Sequence, residues 1–141
     1  MRTKEPEQEQ EQQEENRLLA TQLAAQLGKT AAAAKYLNRS RNWRNHWNPD
    51  VESIGYSGFV QSRNLTNFIV TDPLTDIGYW GDYTYEASSW DYSFADIHDM
   101  QKIIEWMGGS ETFFSRLETT FTVGANPNNP TGIIFDSTNE P

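Results

Sequence analysis

The sequence contains no cysteine, which excludes disulfide staples and thiolate metal sites without fixing the compartment. Histidine is nearly as scarce. His46 and His98 are the only two, 52 residues apart, and each reads as a structural imidazole with a local hydrogen bond rather than a ligand or a base. Positive charge is short as well: 11 Lys and Arg face 20 Asp and Glu, for a net charge of −9. A phosphate-binding or nucleic-acid surface is not expected on that balance. No apolar run approaches the ~18 residues of a membrane helix, and the start, MRTKEPEQEQ, has no apolar core of a signal peptide. No membrane or export segment is therefore read in this chain, and its location stays open. Neither a GxSxG turn nor a glycine-rich phosphate loop occurs, so nucleophilic and nucleotide chemistry have no local support.

What remains is acidic and aromatic. Only 36% of the 141 residues are hydrophobic, yet 13% are aromatic, so any core is built on rings. Residues 1–15 hold six Glu in a low-complexity Glu/Gln tract, with too little apolar surface to offset the entropy of ordering. They are expected to be a disordered leader or a fraying helix start. From Asn16 a helical period begins, with Leu19, Leu23 and Leu27 four residues apart, and Gly28 supplies a stop. Thr30 is the expected cap of a second helix that runs through Ala33, Ala34 and Leu37, giving an αα-hairpin. Ile97, Met100, Ile104 and Met107 mark a third helix ending at Gly108-Gly109. Ser110 is the expected cap of a fourth, with Phe113, Phe114, Leu117 and Phe121 on its buried side. Between the hairpins the helical period is lost for nearly fifty residues, where 58–64 and 67–73 can pair around Leu65-Thr66. The fold class expected is all-α: four helices in two hairpins joined by a long aromatic connector, forming part of a larger layered assembly.

The densest chemistry lies in YWGDYTYEASSWDYSF, residues 79–94, where seven of sixteen residues are aromatic and Asp82, Glu86 and Asp91 are interleaved with them. Rings beside carboxylates suit a sugar, which stacks its C–H face on a ring while its hydroxyls donate to oxygens. The competing reading puts the rings in the core and the acids in water. Helices of about thirteen and eleven residues span roughly 20 and 16 Å, so the second hairpin returns the tail to the end where Asp91 sits. Asn139 and Glu140 then have the reach to meet Glu86 and Asp91. One amide and two or three carboxylates form a hard-oxygen set that fits calcium better than zinc.

The blocks AAAAKYLNRSRNWRNHWNPDVESIGYSGFVQSRNLTNF, YWGDYTYEASSWDYSFADIHDMQKIIEWMGGSETFFSRLETTF and the final NEP resemble, in order, the glycoside hydrolase family 92 α-mannosidases, particularly their fungal members. The resemblance covers about residues 17–141. It implies a partial (α/α)6 toroid over residues 16–141 and an exo-acting, inverting, calcium-dependent hydrolysis that releases terminal mannose from N-glycan-type oligosaccharides. It places Glu86 and Trp90 at the mannose, the first as a hydroxyl partner and the second as a stacking ring. Asp91, where many members carry an amide, and Asn139 with Glu140 of the Asn-Glu-Pro motif fall near the calcium. The family's general acid lies in an acidic-aromatic helix start of the type LEYAYDD, where this chain has EQEQQEEN, and its general bases lie beyond Asn-Glu-Pro. The chain by itself is accordingly expected to be an inactive fragment, with apolar faces that invite self-association. Two other readings stand beside this one. The run LAAQLGKTAAAAKYL resembles part of a tetratricopeptide unit, as in a helical interaction module, although no 34-residue recurrence follows. A carbohydrate-binding remnant without catalysis is the other.

Overall fold

In a computed structural model of the chain, residues 7–75 and 87–135 are described, with side chains from residue 16 onward. Helix α1 spans Glu7–Gln26, so its backbone takes in much of the Glu/Gln tract. Gly28, at φ +68°, makes the left-handed stop that a missing Cβ allows. Helix α2, Thr30–Arg39, follows directly, with Lys29 at the N-cap and no side-chain cap bond, so the expected threonine cap is not formed. The two helices pack as the first αα-hairpin. Its leucine stripe turns outward: Leu19, Leu23 and Leu27 are 62%, 59% and 62% exposed, while Ala24 is buried.

The connector corrects the all-α expectation. Strands β1, Trp47–Ser53, and β2, Tyr56–Val60, form a two-stranded antiparallel sheet. Trp47 pairs with Val60 and Ser53 with Tyr56, and a register irregularity lies between Asn48 and Glu52. The two-residue loop Ile54-Gly55 has positive φ at both positions, +38° and +89°, as a type I′ hairpin requires. Ile54 is an unusual residue for that conformation, which is why the turn gives no Asn-Gly type of signal in the sequence. The hairpin expected further along is reduced to one bridge, Arg63 to Phe68, supported by the Ile69 N–H donating to the Ser62 carbonyl at 2.7 Å.

A short helix that the sequence did not suggest, α3, covers Ser89–Tyr92. The third expected helix follows it in two pieces, a 3-10 turn over Ile97–Asp99 and α4 over Met100–Trp106. Its buried side is carried by Ile103 and Met107, whereas Ile97 is exposed. Glycine again sets the next junction. Gly109, at φ +97°, stands at the N-cap of α5, Ser110–Thr120, so Ser110 is the first helical residue and not the cap. The buried positions of α5 are Arg116 and Thr120; Phe114 and Phe121, expected inside, are exposed.

Two clusters of rings and aliphatics make the core. One joins Val51, Phe59, Leu74, Trp90 and Ile134; the other joins Trp43, Trp47, Ile103 and Met107, with Phe94 packed against both. In the second, Trp43, Trp47 and Trp106 meet with centroids 5.4 to 6.4 Å apart, the range in which tilted and edge contacts are favourable. Asp99 ties this cluster to the 3-10 turn Asn42–His46, accepting from Trp43 Nε1 at 3.1 Å and Arg44 Nε at 2.8 Å.

The Trp47 ring lies directly on Gly58. A Cβ at Gly58 would stand 2.6 Å from Trp47 Cζ2, and its φ is +80°, whereas Gly55 faces open space. Gly58→Ala is predicted to lower unfolding stability by about 2–4 kcal/mol, left-handed strain plus overpacking. Gly55→Ala should cost only about 1–2 kcal/mol, from strain alone. Denaturant melts of the two variants check this, and equal losses would contradict the close packing.

Candidate functional site

Helix α3 is too short to hold itself, and its position comes from what its serines reach. Ser88, the N-cap, accepts from the Asp91 N–H at 3.3 Å, while Asp91 Oδ2 accepts from the Ser88 N–H at 2.7 Å. This reciprocal capping box satisfies donors that the first turn would otherwise leave unpaired. The next residue, Ser89, donates from Oγ to the Val60 carbonyl on β2. It accepts in turn from Gln61 Nε2 at 2.6 Å. One turn later Ser93 Oγ accepts from the Val60 N–H at 3.0 Å and donates to the Ser89 carbonyl at 2.7 Å. Gln61 Oε1 accepts from the Thr71 N–H at 2.8 Å, and the Trp90 N–H donates to the Pro73 carbonyl at 3.1 Å. Ser89, Ser93 and Gln61 are all buried, and the bonds from Gln61 Nε2 to Ser89 and from Ser93 Oγ to the Ser89 carbonyl are themselves buried, as polar groups away from water require.

Trp90 is fully buried. Tyr56 meets its ring edge-on at 5.7 Å, and Phe59 lies 5.2 Å away. The indole is thus a core ring beneath α3 in this structure and not a solvent-facing platform, and its Nε1 has no hydrogen-bond partner among the described residues. Below it sits Arg116, also fully buried. Arg116 Nη1 donates to the Gly58 carbonyl at 2.8 Å, while Nε and Nη2 have no partner among the described residues. Its guanidinium lies 3.9 Å from the Phe59 centroid, 5.1 Å from Trp90 and 5.5 Å from Phe94. Burial in this apolar box pushes the Arg116 pKa down to about 9, so the group is still a cation at neutral pH. The ring faces supply attraction in place of a counter-ion. The Tyr56 hydroxyl, 2.9 Å from both Ser115 Oγ and Thr119 Oγ1, ties the same face of α5 to β2.

After α5 the chain turns back. The N–H groups of Ile134 and Phe135 both donate to the Thr120 carbonyl, at 3.0 and 3.3 Å. Ile134 enters the Trp90 cluster, and Phe135 stands edge-on to Phe94 and Phe121 at 5.6 and 5.4 Å. Of the expected site residues, Trp90 and Asp91 are therefore placed, side by side on α3, and the tail leading to the others comes back to the same cluster as far as Phe135. Glu86, Asn139 and Glu140 lie outside the described residues, as do Asp82 and the ring-rich stretch 79–85. Among the described residues no group of three or more His, Asp and Glu is arranged to hold a metal. Asp91 contributes a hard carboxylate, of which Oδ2 is engaged in the cap.

The two histidines are structural. His98 Nε2 donates to the Ser40 carbonyl at 2.7 Å, joining the end of α2 to the turn before α4, a partner 58 residues away and not the local one expected. Burial lowers the pKa of His46 below the usual imidazole value; its carbonyl accepts from the Gln61 N–H at 2.8 Å.

Comparison with known proteins then assigns the family. The glycosyl hydrolase family 92 catalytic domain matches residues 11–141. The chain belongs to that family. An uncharacterized secreted glycosidase of Arthroderma benhamiae is 31% identical over 99 residues, a match that covers 60% of this chain and 13% of the relative. The family 92 chain thus spans about an eighth of that relative's length. No helix among the described residues is long and apolar enough to cross a membrane.

Arg116 and Gln61 escape a reading by residue type, since both are polar. The available signal is position: Arg116 falls between Phe113 and Thr120 on the face of α5 that packs inward. The structure predicts that volume, more than charge, is needed there. Arg116→Ala should cost about 3 kcal/mol or more by leaving a cavity under three rings. Arg116→Met, which fills the space without a buried unpaired charge, should be neutral or stabilising. Unfolding free energies measured at pH 7 decide, and equal losses in both variants would contradict the assignment.

Proposed function

We propose that this family 92 chain is part of an exo-acting, inverting α-mannosidase that binds calcium and releases terminal mannose from N-glycan-type oligosaccharides, and that its helical hairpins form a segment of an (α/α)6 toroid. The observation that carries the reading is the return of the tail: Ile134 and Phe135 pack on the cluster whose central ring is Trp90, next in sequence to Asp91. Asn139 follows Phe135 by four residues, a span of at most about 14 Å of extended chain. That reach supports a shared site in which Asp91, Asn139 and Glu140 offer oxygens of the hard type that calcium prefers. Glu86 accepts from a sugar hydroxyl, and Trp90 closes the site from the core side. Calcium, when bound, engages vicinal hydroxyls and favours distortion of the sugar ring toward an oxocarbenium-like transition state. The chain's own contribution is to orient the sugar and to hold the Asp91 carboxylate at a fixed position on α3.

The test is the melting temperature of the 141-residue chain with calcium, mannose and both. The two together are predicted to raise it more than either alone, with an increment that grows as the logarithm of mannose concentration. Asp91→Ala and the pair Asn139→Ala with Glu140→Ala should each abolish the joint increment. A melting temperature indifferent to both ligands would overturn the reading.

A further inference from the structure

The sequence carries two Asn-X-Ser/Thr triplets in which X is not proline, and the fold treats them differently. Asn38-Arg39-Ser40 lies at the end of α2. Ser40 is 1% exposed, and its Oγ donates to the Leu37 carbonyl at 2.9 Å. The hydroxyl that completes this triplet is locked into the helix end beneath His98, which binds the Ser40 carbonyl. Asn64-Leu65-Thr66 forms the tip of the loop closed by the bridge between Arg63 and Phe68, and all three of its residues are exposed. Asn64 Oδ1 accepts from the N–H groups of Thr66 and Asn67 at 2.9 and 2.8 Å, and from the Thr66 hydroxyl at 3.1 Å. Each of these bonds uses the amide oxygen, and none uses Nδ2. Beside the amide, Leu65 is 93% exposed, a bare apolar side chain at the outermost point of the loop.

We infer that Asn64 is an N-glycosylation acceptor and that Asn38 is not. The reaction is transfer from a lipid-linked oligosaccharide: Nδ2 forms a bond to the anomeric carbon and loses one proton, while the lipid pyrophosphate leaves with the bonding electron pair. The product keeps the turn intact, because the bonds that close the turn are made by Oδ1. A glycan there projects from the loop tip and screens Leu65 with a hydrated, bulky group. The inference needs the chain to pass through a compartment where this transfer occurs, and it is independent of which sugar the family 92 site accepts.

The experiment expresses the full chain behind a secretory leader in a eukaryotic host and treats the product with an endoglycosidase specific for N-linked glycans. One step of mobility is expected to collapse on treatment, with the Asn64 peptide carrying the mass tag of enzymatic deglycosylation. Asn64→Gln and Thr66→Ala should both lose the step, the second while leaving the acceptor in place, and Asn38→Gln should retain it. A secreted wild type insensitive to the enzyme, or a sensitive step that persists in Asn64→Gln, would overturn the inference.

Discussion

Two serine hydroxyls hold the candidate site in place. Ser89, the first residue of α3, and Ser93, its C-cap, sit one turn apart, and between them they take both the carbonyl and the N–H of Val60. A four-residue helix has no cooperative stability of its own. What fixes α3 is that its polar face completes the hydrogen bonding of a strand end, while Gln61 bridges Ser89 to the backbone of Thr71. Because these groups are buried, loosening any one leaves others unpaired at a cost of about 1–3 kcal/mol each. The orientation of Trp90 and Asp91, between the two serines in sequence, follows from this clasp.

Beneath the clasp, a chain poor in aliphatic residues solves its core with rings and one cation. Phe59, Trp90 and Phe94 surround the Arg116 guanidinium, which also captures the carbonyl of Gly58. Gly58 in turn is the residue on which Trp47 lies. The β-hairpin is therefore gripped from two sides, by the tryptophan cluster on one and by the arginine of α5 on the other. This arrangement makes the hairpin of the connector, where the sequence suggested only a weak strand pairing further along, the element against which both α3 and α5 are set.

How much of this was legible follows from which signals are local. The helical hairpin before Arg39 and the helix after Gly109 are readable because their periods and glycine stops lie within a dozen residues. The β-hairpin was missed because Ile54 hides the turn and the register irregularity after Asn48 breaks the alternation. The apolar faces were assigned to the wrong rows, Leu19-Leu23-Leu27 and Phe114-Phe121, because spacing reveals a stripe but not which stripe finds a partner. Trp90 and Asp91 stand out in the sequence as a ring beside an acid, but the short helix that carries them was not read, and the burial of Trp90 depends on Phe59, Tyr56 and Arg116, 26 to 34 positions away. Only the three-dimensional structure brings those residues together. Glu86, Asn139 and Glu140 rest on family resemblance.

The central claim is the proposal that Asn139 and Glu140 share a cation with Asp91. Manganese in place of calcium gives the most direct measurement, through paramagnetic broadening of backbone amide signals in the full chain. The account predicts that the signals of Asp91, Asn139 and Glu140 fade together at the lowest metal ratio and recover together when excess calcium is added. Fading confined to one of the two segments, with the other unchanged, would contradict it.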